Sequence, residues 1–235
     1  MEWSKKWQLF FNTLKCSVLH SGKDNDKNEY YTDIDHKNKL EITHQEKDVG
    51  VIFTENMKFD EHINNAVKKA NQMTGLIKRS FEYIDKKMFL KLYKAIVRPH
   101  LEYANVVWHP IYIRQKQLIE GVQRRATKIV PGLSKLSYDD RLIALNLPTL
   151  KYRQTRGDLI QTFKIIHGLD NVDCNTFFKF CNSSTRNSEL KLYKEFAKSK
   201  LRSNFLPNRI HETWNSLPAN VKTASDVLQF KKKTY

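Results

Sequence analysis

The stretch LYKAIVRPHLEYANVVWHP, residues 92–110, decides between a helical and a strand-built reading of this chain. With Asp85 placed as a cap, Met88, Phe89, Leu92 and Ile96 recur at helical intervals, so the segment enters as an amphipathic helix. Pro99 lacks an amide donor and its ring collides with the preceding turn, so the helix is expected to bend or restart there. Helical spacing resumes through Leu101 and Tyr103 and stops at Trp108-His109-Pro110. The next segment, around Gln115 to Val130, carries Leu118, Ile119, Val122, Ala126 and Ile129 on one stripe, with Arg124, Arg125 and Lys128 pointing elsewhere. Pro131-Gly132 closes it.

Outward from this centre the period remains helical. Upstream, Ile63, Val67, Ala70, Thr74 and Ile77 share a face. Downstream, a short helix is expected near Ser137 to Leu145 and a longer one from Thr149 to His167, closed by Gly168. Residues 170–204 have weaker apolar periodicity and more Ser, Asn and Lys, which reads as a linker or loosely packed tail, and packable residues return around Trp214 and Leu217. Near the N-terminus, Trp3, Trp7 and Phe10 share a helical face, and Asn12 to His20 alternates as a strand. The polar run 23–38 reads as a loop, and Leu40–Thr43 and Val49–Phe53 as short strands, with Gly50 allowing close backbone approach. The expected fold class is therefore mainly α: a small N-terminal α/β portion with a short hairpin, then a helical bundle and a helical tail. The expected boundaries are 1–58, 59–168 and 169–235.

The chain carries 41 Lys and Arg against 25 Asp and Glu, a formal net charge of +16. Between Lys58 and Arg156 there are 20 basic and 8 acidic residues, so 20 − 8 = +12 of that excess falls within 99 residues. Such a surface attracts polyanions, nucleic acid first. Three scattered cysteines, Cys16, Cys174 and Cys181, are too few for a disulfide scaffold and point to a reducing compartment. No apolar run approaches the roughly 20 residues of a membrane span, so the expectation is an intracellular chain without a membrane partner.

Tyr138-Asp139-Asp140 invites comparison with paired metal-binding aspartates, which hold two Mg²⁺ ions about a transferring phosphate. Here RLIALNL follows, a helix rather than a returning strand, so Ser137, Asp139 and Asp140 read as a cap and first turn. Cys174, Cys181 and His167 have the wrong spacing for a zinc knuckle. His100 and His109, beside prolines and aromatics, read as structural. No Gly-rich phosphate loop or Ser/His/Asp arrangement appears.

Six stretches, in this order and spacing, resemble the carboxy-terminal part of the reverse transcriptase of jockey-like and chicken-repeat-like non-LTR retrotransposons. They are WSKKWQLFFNTLKCSVLHSG (3–22), KDVGVIFTENMKFDEHI (47–63), LYKAIVRPHLEYANVVWHP (92–110), VQRRATKIVPGLSKLSYDDRLIALNLPTL (122–150), YRQTRGDLIQTFKIIHG (152–168) and NRIHETWNSLP (208–218).

The resemblance implies that residues 1–58 are the edge of a polymerase palm, that 59–168 are a helical thumb, and that 169–235 are linker and tail. Asn12 and Lys15 match the family's Asn-x-x-Lys, whose lysine helps neutralise or protonate the leaving pyrophosphate. The Gly50 region resembles the hairpin that grips the primer end. Arg98, Arg124, Arg125, Lys128, Arg153 and Arg156 are the cations such a thumb would offer to an RNA–DNA or DNA primer–template duplex. The family's Ala-Asp-Asp metal site has no match in these residues. The expectation is thus a truncated copy that holds no Mg²⁺, has no cofactor and does not polymerise on its own. The alternative is a non-enzymatic basic helical module, derived from such an element, that binds nucleic acid or protein.

Overall fold

The computed structural model describes residues 2–9, 12–22, 24–32, 38–181 and 190–234. It is mainly helical and divides into two compact units, residues 1–62 and 63–235. Phe10 and parts of the 23–38 loop lie outside the described residues.

The first unit opens with α1 (Glu2–Lys6), followed by a 3₁₀ turn at Thr13–Lys15. β1 (Ser17–Leu19) pairs in parallel with β2 (Glu41–Thr43), and β3 (Gln45–Asp48) pairs antiparallel with β4 (Val51–Thr54). The latter two form a hairpin whose two-residue turn, Val49-Gly50, has φ of 43° and 83°. Positive φ at both positions is the primed turn that matches strand twist, which glycine adopts freely and a β-branched valine does not. Gly50 therefore serves the turn itself. The helical face expected for Trp3 and Trp7 is not buried: both are 59% exposed.

The second unit begins within α2 (Asp60–Ser80), which has Asp60 and Glu61 in its first turn and Lys78 and Arg79 in its last, both favourable to the helix dipole. Ile63, Val67, Ala70 and Ile77 are buried along it, while Thr74 is half-buried and donates to the Ala70 carbonyl. α3 (Lys86–Leu92) is capped by Asp85, whose carboxylate accepts from the Met88 amide at 2.6 Å.

The bend or restart expected at Pro99 takes the form of a widened turn rather than an interruption. A π turn at Tyr93–Val97 leads into α4 (Arg98–Glu102), and the Arg98 amide donates to the carbonyl of Tyr93, five residues back. The widened turn makes room ahead of the proline, so the helix continues. The real break is at Ala104, in the left-handed region at φ 52°. After it, the short α5 (Asn105–Trp108) seats Trp108 fully buried, with its indole N–H donating to the Tyr103 carbonyl at 2.6 Å.

α6 (Ile113–Ala126) ends in a 3₁₀ turn at Thr127–Ile129, and Gly132 at φ 79° turns the chain. Ile119, Val122 and Ala126 are buried on it. α7 (Tyr138–Leu145) is capped by Ser137, which accepts from the Asp140 amide at 3.2 Å, and α8 (Leu150–Ile166) is capped by Thr149. Asp139 and Asp140 thus occupy a helical first turn, where negative charge is favoured.

Beyond residue 168, where the sequence suggests a linker and tail, the chain packs back onto α8. α9 (Cys174–Phe177), α10 (Lys200–Ser203), α11 (Leu206–Asn215), α12 (Ala219–Lys222) and α13 (Val227–Lys233) follow. Leu159 and Phe163 of α8 share one core with Phe178, Leu192, Ile210, Trp214 and Phe230. A bridge between Phe180 and Leu192 closes the segment on itself. Phe178 and Leu192 are isolated apolar residues in a polar stretch with no period to read, yet both reach the same core.

Candidate nucleic-acid interface

α6 has two unlike sides. Inward, Gln123 is 1% exposed and fully engaged: its amide nitrogen donates to the Tyr138 hydroxyl and the Pro148 carbonyl, both at 3.0 Å, and its oxygen accepts from the Tyr93 hydroxyl at 2.7 Å. Glu120 accepts from the Tyr138 hydroxyl and, at 3.0 and 3.3 Å, from the Leu150 and Lys151 amides that open α8. Its charge is therefore spent on the N-terminus of α8 rather than on the arginines of its own helix. Burial pushes the Tyr138 hydroxyl well above the usual tyrosine range, and its bond to Glu120 adds to the shift. Buried Arg141 donates to Thr127 Oγ1, the Leu136 carbonyl and the Arg124 carbonyl, which fixes the end of α6 against α7.

Outward, Arg124, Arg125 and Lys128 are exposed, as the helical period predicts. The Arg124 guanidinium lies 4.3 Å from the centre of the Tyr138 ring, a cation–π contact that orients it. Arg125 reaches across to Asn71 of α2, donating to its side-chain oxygen at 3.0 Å, and its guanidinium lies over Gly121. A side chain at Gly121 would meet that guanidinium at 3.3 Å. The result is a row of cations on a rigid support, two of the three with held geometry.

The other cations singled out in the sequence have different surroundings. Arg98 and Arg153 share Glu102: Arg98 Nε is 3.5 Å from its carboxylate, and Arg153 grips it with two donors, one at 2.8 Å. Arg156 donates to the Lys231 carbonyl at 2.8 Å. All three are half-buried: Arg153 ties α8 to α4 and Arg156 ties it to α13, while Arg98 pairs within α4. Lys15 is exposed in its 3₁₀ turn, and it belongs with Gly50 to the first unit.

Sequence reading missed the group that locks this unit together. Asp158, 1% exposed on α8, receives both arms of Arg209 from α11 at 2.8 and 2.9 Å. Arg209 also donates to the carbonyls of Val106 and Asn204, each at 2.7 Å. His109 Nδ1 stands 3.1 Å from the same carboxylate without hydrogen-bond geometry, and its carbonyl accepts from the Asn204 side chain. Burial opposes ionisation of Asp158, but Arg209 and His109 overcome it and hold the carboxyl below the usual range. One signal was available: an Arg-Gly-Asp inside a helical period puts an acid on the buried face, where it requires a partner. Gly157 beside it lets Asn105 approach, since a Cβ there would meet the Asn105 side chain at 3.2 Å.

Among the described residues, no group of three or more His, Cys, Asp or Glu side chains is placed to hold a metal ion. Cys174 and Cys181 are free thiols, and His167 bonds the Lys222 carbonyl through Nε2 at 2.8 Å. No described helix is long and apolar enough to cross a membrane.

No protein-family profile matches the chain, and no solved structure does. An uncharacterized protein of Caenorhabditis elegans is 25% identical over 138 residues, which cover 56% of this chain and 66% of that protein.

Proposed function

We propose that this chain is the palm-edge and thumb portion of a non-LTR retrotransposon reverse transcriptase, and that its remaining capacity is to hold a primer–template duplex by its backbone. The observation that carries the reading is the row Arg124, Arg125 and Lys128, exposed on a helix whose opposite side is fixed by Gln123, Glu120 and Arg141. Cations on a rigid helix can follow a phosphate ladder without reading bases, as a polymerase thumb requires. Nucleotide transfer is not part of the proposal, because the family's Ala-Asp-Asp motif has no match in this sequence.

A second reading, a non-enzymatic binding module derived from such an element, is favoured by the self-contained core of residues 63–235. One titration tests the duplex-holding face. The chain is titrated with a short RNA–DNA hybrid across a salt series, beside a variant with Arg124→Glu, Arg125→Glu and Lys128→Glu. A log–log slope that becomes shallower by about 0.9 for each lost contact supports the duplex-holding face. Affinity and slope unchanged in the variant would leave the charge as generic surface and end the thumb reading.

A further inference from the structure

We propose that the segment from Lys191 to Phe205 is a binding strip for single-stranded nucleic acid, with Tyr193 and Phe196 as stacking platforms and Lys194, Lys198 and Lys200 following the phosphates. The inference is separate from the duplex face on α6 and rests on different residues.

The strip is held open rather than collapsed. Leu192 is 1% exposed in the core, and its amide and carbonyl both bond the Asn215 side chain, at 2.9 and 3.0 Å. The Tyr193 amide donates to the Lys179 carbonyl at 2.7 Å. With Leu192 fixed inward, extended backbone sends Tyr193 outward, 56% exposed, and Phe196 is 86% exposed. A phenyl ring left in water on an anchored segment lacks the usual reason for an apolar residue, which is burial.

The charge around these rings selects the partner. Lys191 to Phe205 contains five Lys or Arg and one Glu, a net 5 − 1 = +4. That one acid, Glu195, is bridged by Lys179 at 2.7 Å and by Arg202 at 2.9 Å, so it presents little uncompensated charge. Lys194 pairs with exposed Glu212 at 2.8 Å, a surface contact that a phosphate can replace at small cost. A depression of about 480 Å³ lined by Tyr193, Lys194 and Phe196 adjoins, at Ser203, one of about 370 Å³ lined by Tyr112 and Lys200.

Alternating rings and cations along an open track suit a strand whose bases are unstacked and whose backbone is anionic. In a duplex the bases already stack on one another, which leaves the rings nothing to cover. An apolar protein surface would have to approach through the lysines. Stacking and charge do not read base edges, so binding is expected to be tolerant of sequence.

The test uses the full chain and fluorescein-labelled oligouridine, with an RNA hairpin of equal length as the duplex arm and anionic phosphatidylserine vesicles as a third. Tyr193→Ala with Phe196→Ala should weaken oligouridine binding at least about fivefold, the scale of one or two lost stacks, and leave hairpin binding unchanged. Phe196→Trp should retain affinity. Lys198→Gln with Lys200→Gln should make the salt slope shallower by about 1.4, or 0.7 for each contact on a single strand. Oligouridine affinity indifferent to the rings overturns the proposal, as does an equal loss on the hairpin. A loss confined to the vesicles would reassign the strip to a membrane surface. The substituted side chains lie outside the core, so circular dichroism of the variants should match the parent.

Discussion

In the first unit Val51 is the one buried hydrophobic side chain among the described residues, whereas the second buries Trp108, Phe163 and Trp214 to 1% exposure or less. The first unit is built from two separate two-stranded pairings, the kind of sheet that is marginal alone in water. Its parallel pair departs from the usual pattern, since parallel strands are normally covered on both faces, yet Ile42 is 45% exposed. The second unit gathers α8, α11 and α13 into one core and satisfies its buried charge with a matched partner. Proximity in sequence is enough to make a hairpin, but stability comes from distant segments that meet in one core.

The largest expected effect is in hydrogen exchange. Amides of β3 and β4 should exchange roughly a thousandfold or more faster than those at the centre of α8, because local opening of the hairpin exposes little apolar surface. Equal protection in the two would break the contrast.

The next effect sharpens it from inside the stable unit. Asp158→Ala leaves Arg209 buried without its counter-charge and should cost about 3–5 kcal/mol in urea unfolding of residues 63–235, while Asp158→Leu with Arg209→Met should recover much of that. If the double replacement cost as much as the single one, an uncompensated charge would not be the cause. The same pair predicts a pH dependence. The folded carboxyl binds its proton less readily than the unfolded one, so the ionised pair's contribution is present above the unfolded value near 4 and is lost as pH falls through the lower folded value. Urea midpoints measured from pH 6 down to pH 2 should fall more steeply for the parent than for Asp158→Leu with Arg209→Met.

The smallest effect lies in the weak unit. Val49→Asn should suit the left-handed turn better than valine and slow hairpin exchange by an amount equal to about 1 kcal/mol or less, with the urea midpoint of residues 63–235 unmoved. Faster exchange would show that the turn does not limit the hairpin.

The helices were legible wherever local chemistry sets them. Caps at Asp85 and Ser137 and the stripe of α6 follow from spacing alone, and so does the outward placing of Arg124, Arg125 and Lys128. What long-range contacts set was not legible. Arg153 reads as an available cation until Glu102, 51 residues away, is seen to hold it. Trp3 and Trp7 have helical spacing but no core to face, and spacing alone cannot tell an inward stripe from an exposed one. Phe178 and Leu192 have the converse difficulty, being buried without any period around them.

The π turn at Tyr93–Val97 also acts as a phase corrector. Phe89, Tyr93, Val97 and Leu101 are all fully buried, at a constant interval of four residues. On a regular helix each such step overshoots a full revolution by about 40°, so three in a row would spiral off the buried side. One underwound turn absorbs the drift and keeps all four pointing into the core. The parallel series Met88, Leu92 and Ile96, one residue out of register, has the same spacing but is only half-buried. A series of fully buried residues four apart that runs past a proline is therefore what an underwound turn makes possible.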